Sequence, residues 1–161
     1  MQNLFAGLAR AVNHATEPVQ VFAAVEDAVR RAIGFKLLTI LFVLPDRSAV
    51  QRIHSSNPVA YPVSGRKPFR TTEWGDNLMI KRRPWLGRTV DDIRWAFFDH
   101  ELIESLGCGC CINAPVAAFG QVYGTLNVLD APLAYDNTQV PVVEAIASYL
   151  VEPLRRVVHT T

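Results

Sequence analysis

Apolar residues recur at helical spacing through the first part of the chain. They predict a short amphipathic helix that ends near His14, followed by a second helix with Thr16 as its N-cap and Pro18 in its first turn. The second helix should end before Gly34, because glycine commonly terminates helices. The apolar positions are Leu4, Phe5, Leu8, Ala11, Val12, Phe22, Val25, Val29 and Ile33. We therefore expect two N-terminal helices within residues 1–34.

The apolar pattern then becomes continuous. Residues Phe35–Leu44 form a nearly unbroken apolar run, which predicts a central strand covered on both faces. After a Pro-Asp turn, Ser48–His54 alternates more weakly, as an edge strand does. Residues 35–54 are thus expected to form a first strand pair.

Between residues 55 and 107, proline, glycine, tryptophan and arginine interrupt the pattern, yet three short helices can still be placed. They are predicted at Glu73–Lys81 after the cap Thr72, around Ile93 after a capping box of Thr89 and Asp92, and at His100–Leu106 after the cap Asp99. This irregular segment is expected to lie over one side of a sheet.

Two further strands and a helix complete the pattern. Period-two alternation on either side of a short glycine-containing loop predicts an antiparallel hairpin within residues 108–130. The last element is a helix within residues 136–159, capped by Asp136 or Thr138, which Pro153 is expected to kink. No linker divides the pattern, so the whole chain is expected to form one domain.

Composition and charge argue against several classes of function. Half of the 161 residues are apolar, and 16 Lys and Arg against 15 Asp and Glu leave a net charge of +1, which gives no overall case for binding nucleic acid or an anionic membrane. The sequence has neither a recognisable secretory signal nor an apolar run long enough to span a membrane. Its three cysteines are not spaced like a secreted disulfide framework. We expect a cytoplasmic protein.

Three segments, DHELIESLG, INAPV and QVYGTLNVLD, stand in an order of helices and strands that resembles a GAF domain. The resemblance covers nearly the whole chain. It implies an α+β fold with an antiparallel sheet, the terminal helices on one face, and a small-molecule pocket on the other face. The irregular segment 55–107 would form the roof of that pocket.

Polar residues of the hairpin fall on one parity, which fits a sheet with two different faces. Thr125 and Asn127 alternate with apolar neighbours, and Asn113 and Cys111 share the corresponding face of the preceding strand, whereas Cys108 is expected on the other face. The predicted pocket floor consists of Cys111, Asn113, Thr125 and Asn127. Its polar groups need partners, which either a ligand or ordered water, or the backbone of a loop, can supply.

The predicted roof is rich in aromatic and basic residues. It holds all three tryptophans and eight of the sixteen Lys and Arg. Such a roof suits an anionic or planar ligand. The predicted ligand-binding residues of the roof are Tyr61, Arg66, Arg70, Trp74, Trp85 and His100. Alternatively, the tryptophans cap the core, the run Lys81 to Arg83 is a solvated helix end, and the loop of Arg66 and Arg70 is plain surface.

No catalytic residue and no cofactor are predicted. No metal site is predicted either, because Cys108, Cys110 and Cys111 do not have zinc-site spacing. The resemblance offers one enzymatic alternative, a thiol-dependent reductase related to free methionine sulfoxide reductases, with Cys111 or His100 as the reactive group. Those enzymes carry their cysteines in the roof, where this chain has none, and an acid where Asn127 stands. The motifs of bilin-binding and cyclic-nucleotide-binding GAF domains are also missing.

We therefore expect a sensory or regulatory module that binds a small molecule and signals in trans to a protein partner, without an output domain in cis. A homodimer through the terminal helices is expected from the apolar first helix and from Val142, Tyr149 and Val157, which could equally close the chain's own core. The third alternative is a structural dimerisation module whose pocket is filled by its own tryptophans.

Overall fold

The computed structural model describes residues 1–69 and 71–159 and shows an α+β fold built on a six-stranded antiparallel sheet. The strands are β1 (Leu37–Val43), β2 (Ala49–Ser55), β3 (Arg66–Pro68), β4 (Trp85–Gly87), β5 (Cys110–Ala118) and β6 (Gln121–Asp130). Their order across the sheet is β3-β2-β1-β6-β5-β4. The prediction that Ser48–His54 lies at the edge is wrong, because β3 pairs with the outer side of β2.

Seven helices and one 3₁₀ turn accompany these strands in the described residues. The helices are α1 (Gln2–His14), α2 (Pro18–Ala32), α3 (Glu73–Met79), α4 (Val90–Ala96), α5 (His100–Ser105), α6 (Val140–Ala147) and α7 (Val151–His159). None of them is long and apolar enough to cross a membrane, within the ranges that the structure covers.

Local capping hydrogen bonds mark the starts of three helices, α2, α3 and α4. Thr72 caps α3 by accepting a hydrogen bond from the Gly75 amide, and Thr89 and Asp92 form the predicted capping box of α4. Thr16 does not cap α2. Glu17 is its N-cap, and the backbone amides of both residues donate to the side chain of Gln20 at 2.7 and 3.0 Å.

The C-terminal helix is divided, one turn before the expected kink. Its first part, α6, begins at Val140 after Gln139, because Asp136 accepts hydrogen bonds from Thr138 instead of capping the helix. A 3₁₀ turn, Ser148–Leu150, then separates α6 from α7. Pro153 explains the break, since it has no amide to donate to the carbonyl four residues earlier and its ring crowds that carbonyl.

The two faces of the sheet carry different cores. The larger core lies between the sheet and the terminal helices. Its buried strand residues are Leu38, Ile40, Phe42, Cys110, Ile112, Ala114, Val116, Leu126 and Val128. Leu4, Phe5, Val12, Val142, Tyr149 and Val157 pack against it. The apolar residues that suggested a homodimer therefore contribute to the chain's own core, and the homodimer itself stays a prediction.

A smaller core lies on the opposite face. Cys111 packs there with Leu37, Leu129 and Ile103. Cys108 belongs to the same cluster, so its predicted orientation is wrong. The reason is local: β5 begins only at Cys110, and strand alternation does not extend to the residues before it.

The central strands approach each other closely at one glycine. A Cβ atom at Gly124 of β6 would overlap the carbonyl oxygen of Leu41 in the paired strand β1 and would lie 2.6 Å from a methyl carbon of Leu154. Only a residue without a side chain fits there. At Gly124, β6 therefore packs closely against both β1 and α7.

Candidate functional site

A cavity of about 540 Å³ lies on the sheet face opposite the terminal helices. Its floor is formed by β1, β5 and β6, and one wall by β2 and β3. Helix α3 and residues 94–100 cover it. The three layers come from distant parts of the sequence, so the cavity exists only in the folded chain.

Seven of the ten residues predicted to bind a ligand line this cavity. They are Tyr61, Arg66, Trp74, His100, Asn113, Thr125 and Asn127. Trp85 and Cys111 do not line it, and Arg70 lies outside the described residues. Whether any of the ten contacts a ligand stays a prediction.

Trp85 is displaced from the cavity by its own neighbourhood. Its ring lies over Gly87, where a Cβ atom would overlap it, and it stacks on Trp95 with 6.0 Å between the ring centroids. It therefore covers the sheet edge, which is the core-capping role considered for the tryptophans. Cys111 is completely buried in the smaller core beside the cavity.

Asn113, Asn127 and Thr39 of the floor are joined to Trp74 of the cover by a series of side-chain hydrogen bonds. Trp74 Nε1 donates to Asn113 Oδ1 at 3.1 Å, and Asn113 Nδ2 donates to Asn127 Oδ1 at 2.7 Å. Asn127 Nδ2 then donates to Thr39 Oγ1 at 3.3 Å. We expected loop backbone, water or a ligand as partners, but the partners are side chains. These hydrogen bonds hold the indole of Trp74 against the floor of the cavity.

Aromatic side chains form the apolar part of the cavity. Trp74 contacts the edge of Phe97, with 5.1 Å between the ring centroids. Leu78 of α3 is buried beside them, whereas Trp95 and Phe98 are largely exposed at the opening. A flat apolar group could therefore lie against Trp74 and Phe97 and remain shielded from water.

The opposite end of the cavity contains a buried arginine that the sequence analysis did not select. Arg52 of β2 is only 7% exposed. Its guanidinium carbon lies 4.8 Å from the centroid of the Tyr61 ring, and Nη1 donates to the Pro62 carbonyl at 3.0 Å. Gly65 leaves room for it, since a Cβ atom there would lie 2.9 Å from Nη1. Its Nε has no hydrogen-bond partner within the described residues.

Asp99 lies next to this arginine site and was also missed as a site residue. It holds the N-cap position of α5 but makes no capping hydrogen bond with its side chain. Instead its Oδ2 accepts a hydrogen bond from the Tyr61 hydroxyl at 2.8 Å and lies 3.5 Å from Lys67 Nζ. Oδ1 is buried and lacks a partner among the described residues.

Burial governs the protonation of the groups around Asp99. Burial, and then the hydrogen bond to Asp99, raise the pKa of the Tyr61 phenol, so it stays protonated and acts as the donor. Burial lowers the pKa of Lys67, and the nearby Asp99 carboxylate opposes this change. Burial also lowers the pKa of Arg52, but a guanidinium remains charged in proteins.

Three further residues with ionisable side chains line the cavity, and they differ in their hydrogen-bond partners. His100 Nδ1 is buried and lies 3.7 Å from Glu104 Oε1, beyond hydrogen-bond distance, with no other partner in the part of the chain described. Arg94 is paired with the same Glu104 at 2.9 Å. Arg66 is exposed and donates through Nε to Gln51 at 2.8 Å. Only His100 among these leaves a buried polar atom unsatisfied.

All three thiols are free, buried and absent from the cavity lining. Burial raises the pKa of Cys108 to about 11, and it also raises the pKa values of Cys110 and Cys111. The described residues contain no group of three or more His, Cys, Asp or Glu side chains arranged to hold a metal ion. The buried side-chain atoms without a hydrogen-bond partner in the described residues belong instead to Arg52, Asp99 and His100.

Comparison with known proteins identifies the architecture. No protein-family model and no curated protein matches the chain. Among solved structures, the GAF domain of a phosphoenolpyruvate-protein phosphotransferase from Coxiella burnetii is similar, with a TM-score of 0.81 and 12% identity, and the match covers 99% of this chain and 95% of that chain.

Two further structures show the same arrangement. The GAF domain of a two-component sensor histidine kinase from Bacillus halodurans matches with a TM-score of 0.72 and 12% identity over 89% of this chain and 97% of that chain. Free methionine-R-sulfoxide reductase from Neisseria meningitidis, in complex with its substrate, matches with a TM-score of 0.71 and 20% identity over 96% of this chain and 87% of that chain. The chain therefore has the fold of a GAF domain.

Proposed function

We propose that this chain is a sensory module that reversibly binds a small organic molecule in the cavity between the sheet and its cover. One observation carries the proposal: three buried polar atoms that have no hydrogen-bond partner among the described residues, Arg52 Nε, Asp99 Oδ1 and His100 Nδ1, belong to residues that line this one cavity. Each such atom costs about 1–3 kcal/mol when it is left unsatisfied, which a ligand with complementary groups would recover.

The size and lining of the cavity also support binding. About 540 Å³ lies within the range of small-molecule sites, which combine apolar walls with a few polar groups. Trp74 is tied to Asn113 and leaves this space open. This observation favours a binding module over a dimerisation module with a filled pocket.

A thiol-dependent reductase is less consistent with the site. A reactive cysteine needs an accessible thiolate, but burial raises the pKa of all three thiols, and none of them lines the cavity. The similarity to a methionine sulfoxide reductase concerns the fold at 20% identity. We therefore propose binding without turnover.

The sensory role is proposed by analogy with a neighbour of the same fold, a GAF domain from a two-component sensor histidine kinase. In this proposal, ligand binding orders the residues that cover the cavity, and a protein partner in trans recognises the changed surface. The exposed side chains of Trp95 and Phe98 at the opening are the groups most directly affected by an occupied cavity.

A thermal-shift screen against a metabolite library tests the binding proposal. A ligand at a hundredfold excess over its Kd should stabilise the protein by about 2.7 kcal/mol, which raises the Tm by several degrees. Thr125→Phe fills the cavity from its floor and should abolish the shift. Thr16→Phe, an exposed position at the start of α2, is the matched control and should retain it. A library without a hit, or a hit that survives Thr125→Phe, would refute the proposal.

A further inference from the structure

The unsatisfied atoms at the charged end of the cavity are of opposite types. Arg52 Nε is a cationic donor, and its side chain is more than nine-tenths buried. Asp99 Oδ1 is an acceptor on a carboxylate whose other oxygen is already used by the Tyr61 hydroxyl. The two atoms therefore need different partners, an acceptor for Arg52 and an N–H or O–H donor for Asp99.

Tyr61 holds both groups at one end of the cavity. Its ring supports the guanidinium of Arg52 at 4.8 Å, and its hydroxyl donates to Asp99 at 2.8 Å. Arg52 and Asp99 therefore border the same part of the cavity, each in contact with Tyr61. Neither group can rotate away freely, since Arg52 also donates to the Pro62 carbonyl and Asp99 lies 3.5 Å from Lys67.

A ligand that carries only one of the two functions leaves one of the two atoms without a partner. A ligand with an anionic group alone would satisfy Arg52, and Arg52 and Lys67 would favour its charge, but it would leave Asp99 Oδ1 unpaired. A ligand with a cationic group alone would satisfy Asp99, but it would face the positive charges of Arg52 and Lys67. Like charges in a partly buried site repel each other more strongly than in water.

We propose that the ligand is amphoteric, with a carboxylate that accepts from Arg52 and a neighbouring ammonium or other N–H group that donates to Asp99. The ligand class is thus an aminocarboxylate, and this inference rests on the proposed binding function. The rest of the ligand lies toward Trp74, Phe97 and Leu78, so an apolar or aromatic body fits. His100 Nδ1 is the third buried atom without a partner in the described residues, and an imidazole nitrogen can serve as donor or acceptor according to its tautomer.

Matched sets of three compounds test the inference, because each set shares one body and differs only in its charged groups. The sets are phenylalanine, phenylpropanoate and phenethylamine; tryptophan, indolepropanoate and tryptamine; and leucine, isocaproate and isoamylamine. We expect at least one aminocarboxylate to bind the wild-type chain in calorimetry, at least tenfold more tightly than both of its single-function analogues, which equals about 1.4 kcal/mol.

Variants then locate the contacts. Arg52→Gln and Asp99→Asn should each weaken the aminocarboxylate at least tenfold. Asp99→Asn should leave the carboxylate-only analogue no weaker than before, because the repelling charge is removed. The controls Arg31→Gln and Asp27→Asn change an exposed ion pair on α2 and should leave all affinities unchanged. The Nε–H resonance of Arg52, identified by its absence from Arg52→Lys, should move when the ligand is added.

The outcomes separate this inference from the proposed function. If the carboxylate of a set binds as tightly as the aminocarboxylate of that set, the inferred ligand class is wrong although the binding function stands. The same holds if Asp99→Asn has no effect on the affinity for the aminocarboxylate. The same conclusion follows if the metabolite library gives hits that are lost in Thr125→Phe while no aminocarboxylate binds. If neither the library nor the matched sets bind, both proposals are wrong.

Discussion

Asn127→Leu tests whether the hydrogen-bonded floor stabilises the fold. The Asn127 side chain is 6% exposed and links Asn113 Nδ2, at 2.7 Å, to Thr39 Oγ1, at 3.3 Å. Leucine has a similar size but no polar atom, so both neighbours lose a partner. Each loss costs about 1–3 kcal/mol, and the apolar side chain recovers part of it, so we expect a net destabilisation of about 2–3 kcal/mol.

Urea denaturation followed by circular dichroism measures this loss as a lower midpoint at an unchanged slope. In a domain of this size the Tm should also fall by about 4–10 °C. The exposed Asn137→Leu is the matched control and should change the stability by no more than about 0.5 kcal/mol.

A double-mutant cycle gives the decisive comparison. Asn113→Leu combined with Asn127→Leu removes both partners of the 2.7 Å hydrogen bond, so the double variant should be at least about 1 kcal/mol more stable than the sum of the single effects predicts. Strict additivity, or an Asn127→Leu variant as stable as the wild type, would show that the floor network does not contribute in this way.

Further predictions concern the sheet, the thiols and the capping box. Gly124→Ala should destabilise the chain by about 3 kcal/mol or more, because the added Cβ overlaps the Leu41 carbonyl oxygen, whereas Gly7→Ala, in open space on α1, should stabilise it by about 0.5–1 kcal/mol in the same denaturation assay. At pH 8 a thiol reagent should label Cys108 and the other cysteines slowly in native buffer and rapidly in denaturant; rapid native labelling would contradict their burial. Partial burial opposes ionisation of Asp92, but hydrogen bonds from two backbone amides outweigh it and lower the pKa. The resulting stabilisation is present above the ordinary aspartate value of 3.8 and is lost as the pH falls through the lowered pKa. Asp92→Ala should therefore cost about 1 kcal/mol at neutral pH, with a difference from wild type that disappears in acid; a difference that persists in acid would contradict this account.

The sequence determined those features that depend on residues close together in the chain. Period-two alternation placed Asn113, Thr125 and Asn127 on one face of the sheet, and all three line the cavity. The capping box of Thr89 and Asp92 likewise follows from two residues in one helical turn. These predictions hold because backbone geometry alone decides which side chains share a face or reach a helix end.

Tertiary structure decided which charged groups became buried. Arg52 lies in a strand whose apolar alternation is weak, and the three-residue strand β3 pairs beside this strand while the Tyr61 ring packs against the guanidinium. The sequence predicted Asp99 as a helix cap, but its carboxylate accepts a hydrogen bond from the hydroxyl of Tyr61, 38 residues away. Trp85 lies outside the predicted site, because its ring packs over Gly87, which has no side chain. Such choices depend on the desolvation and hydrogen bonding of groups that meet only after folding, and no local pattern in the sequence records them.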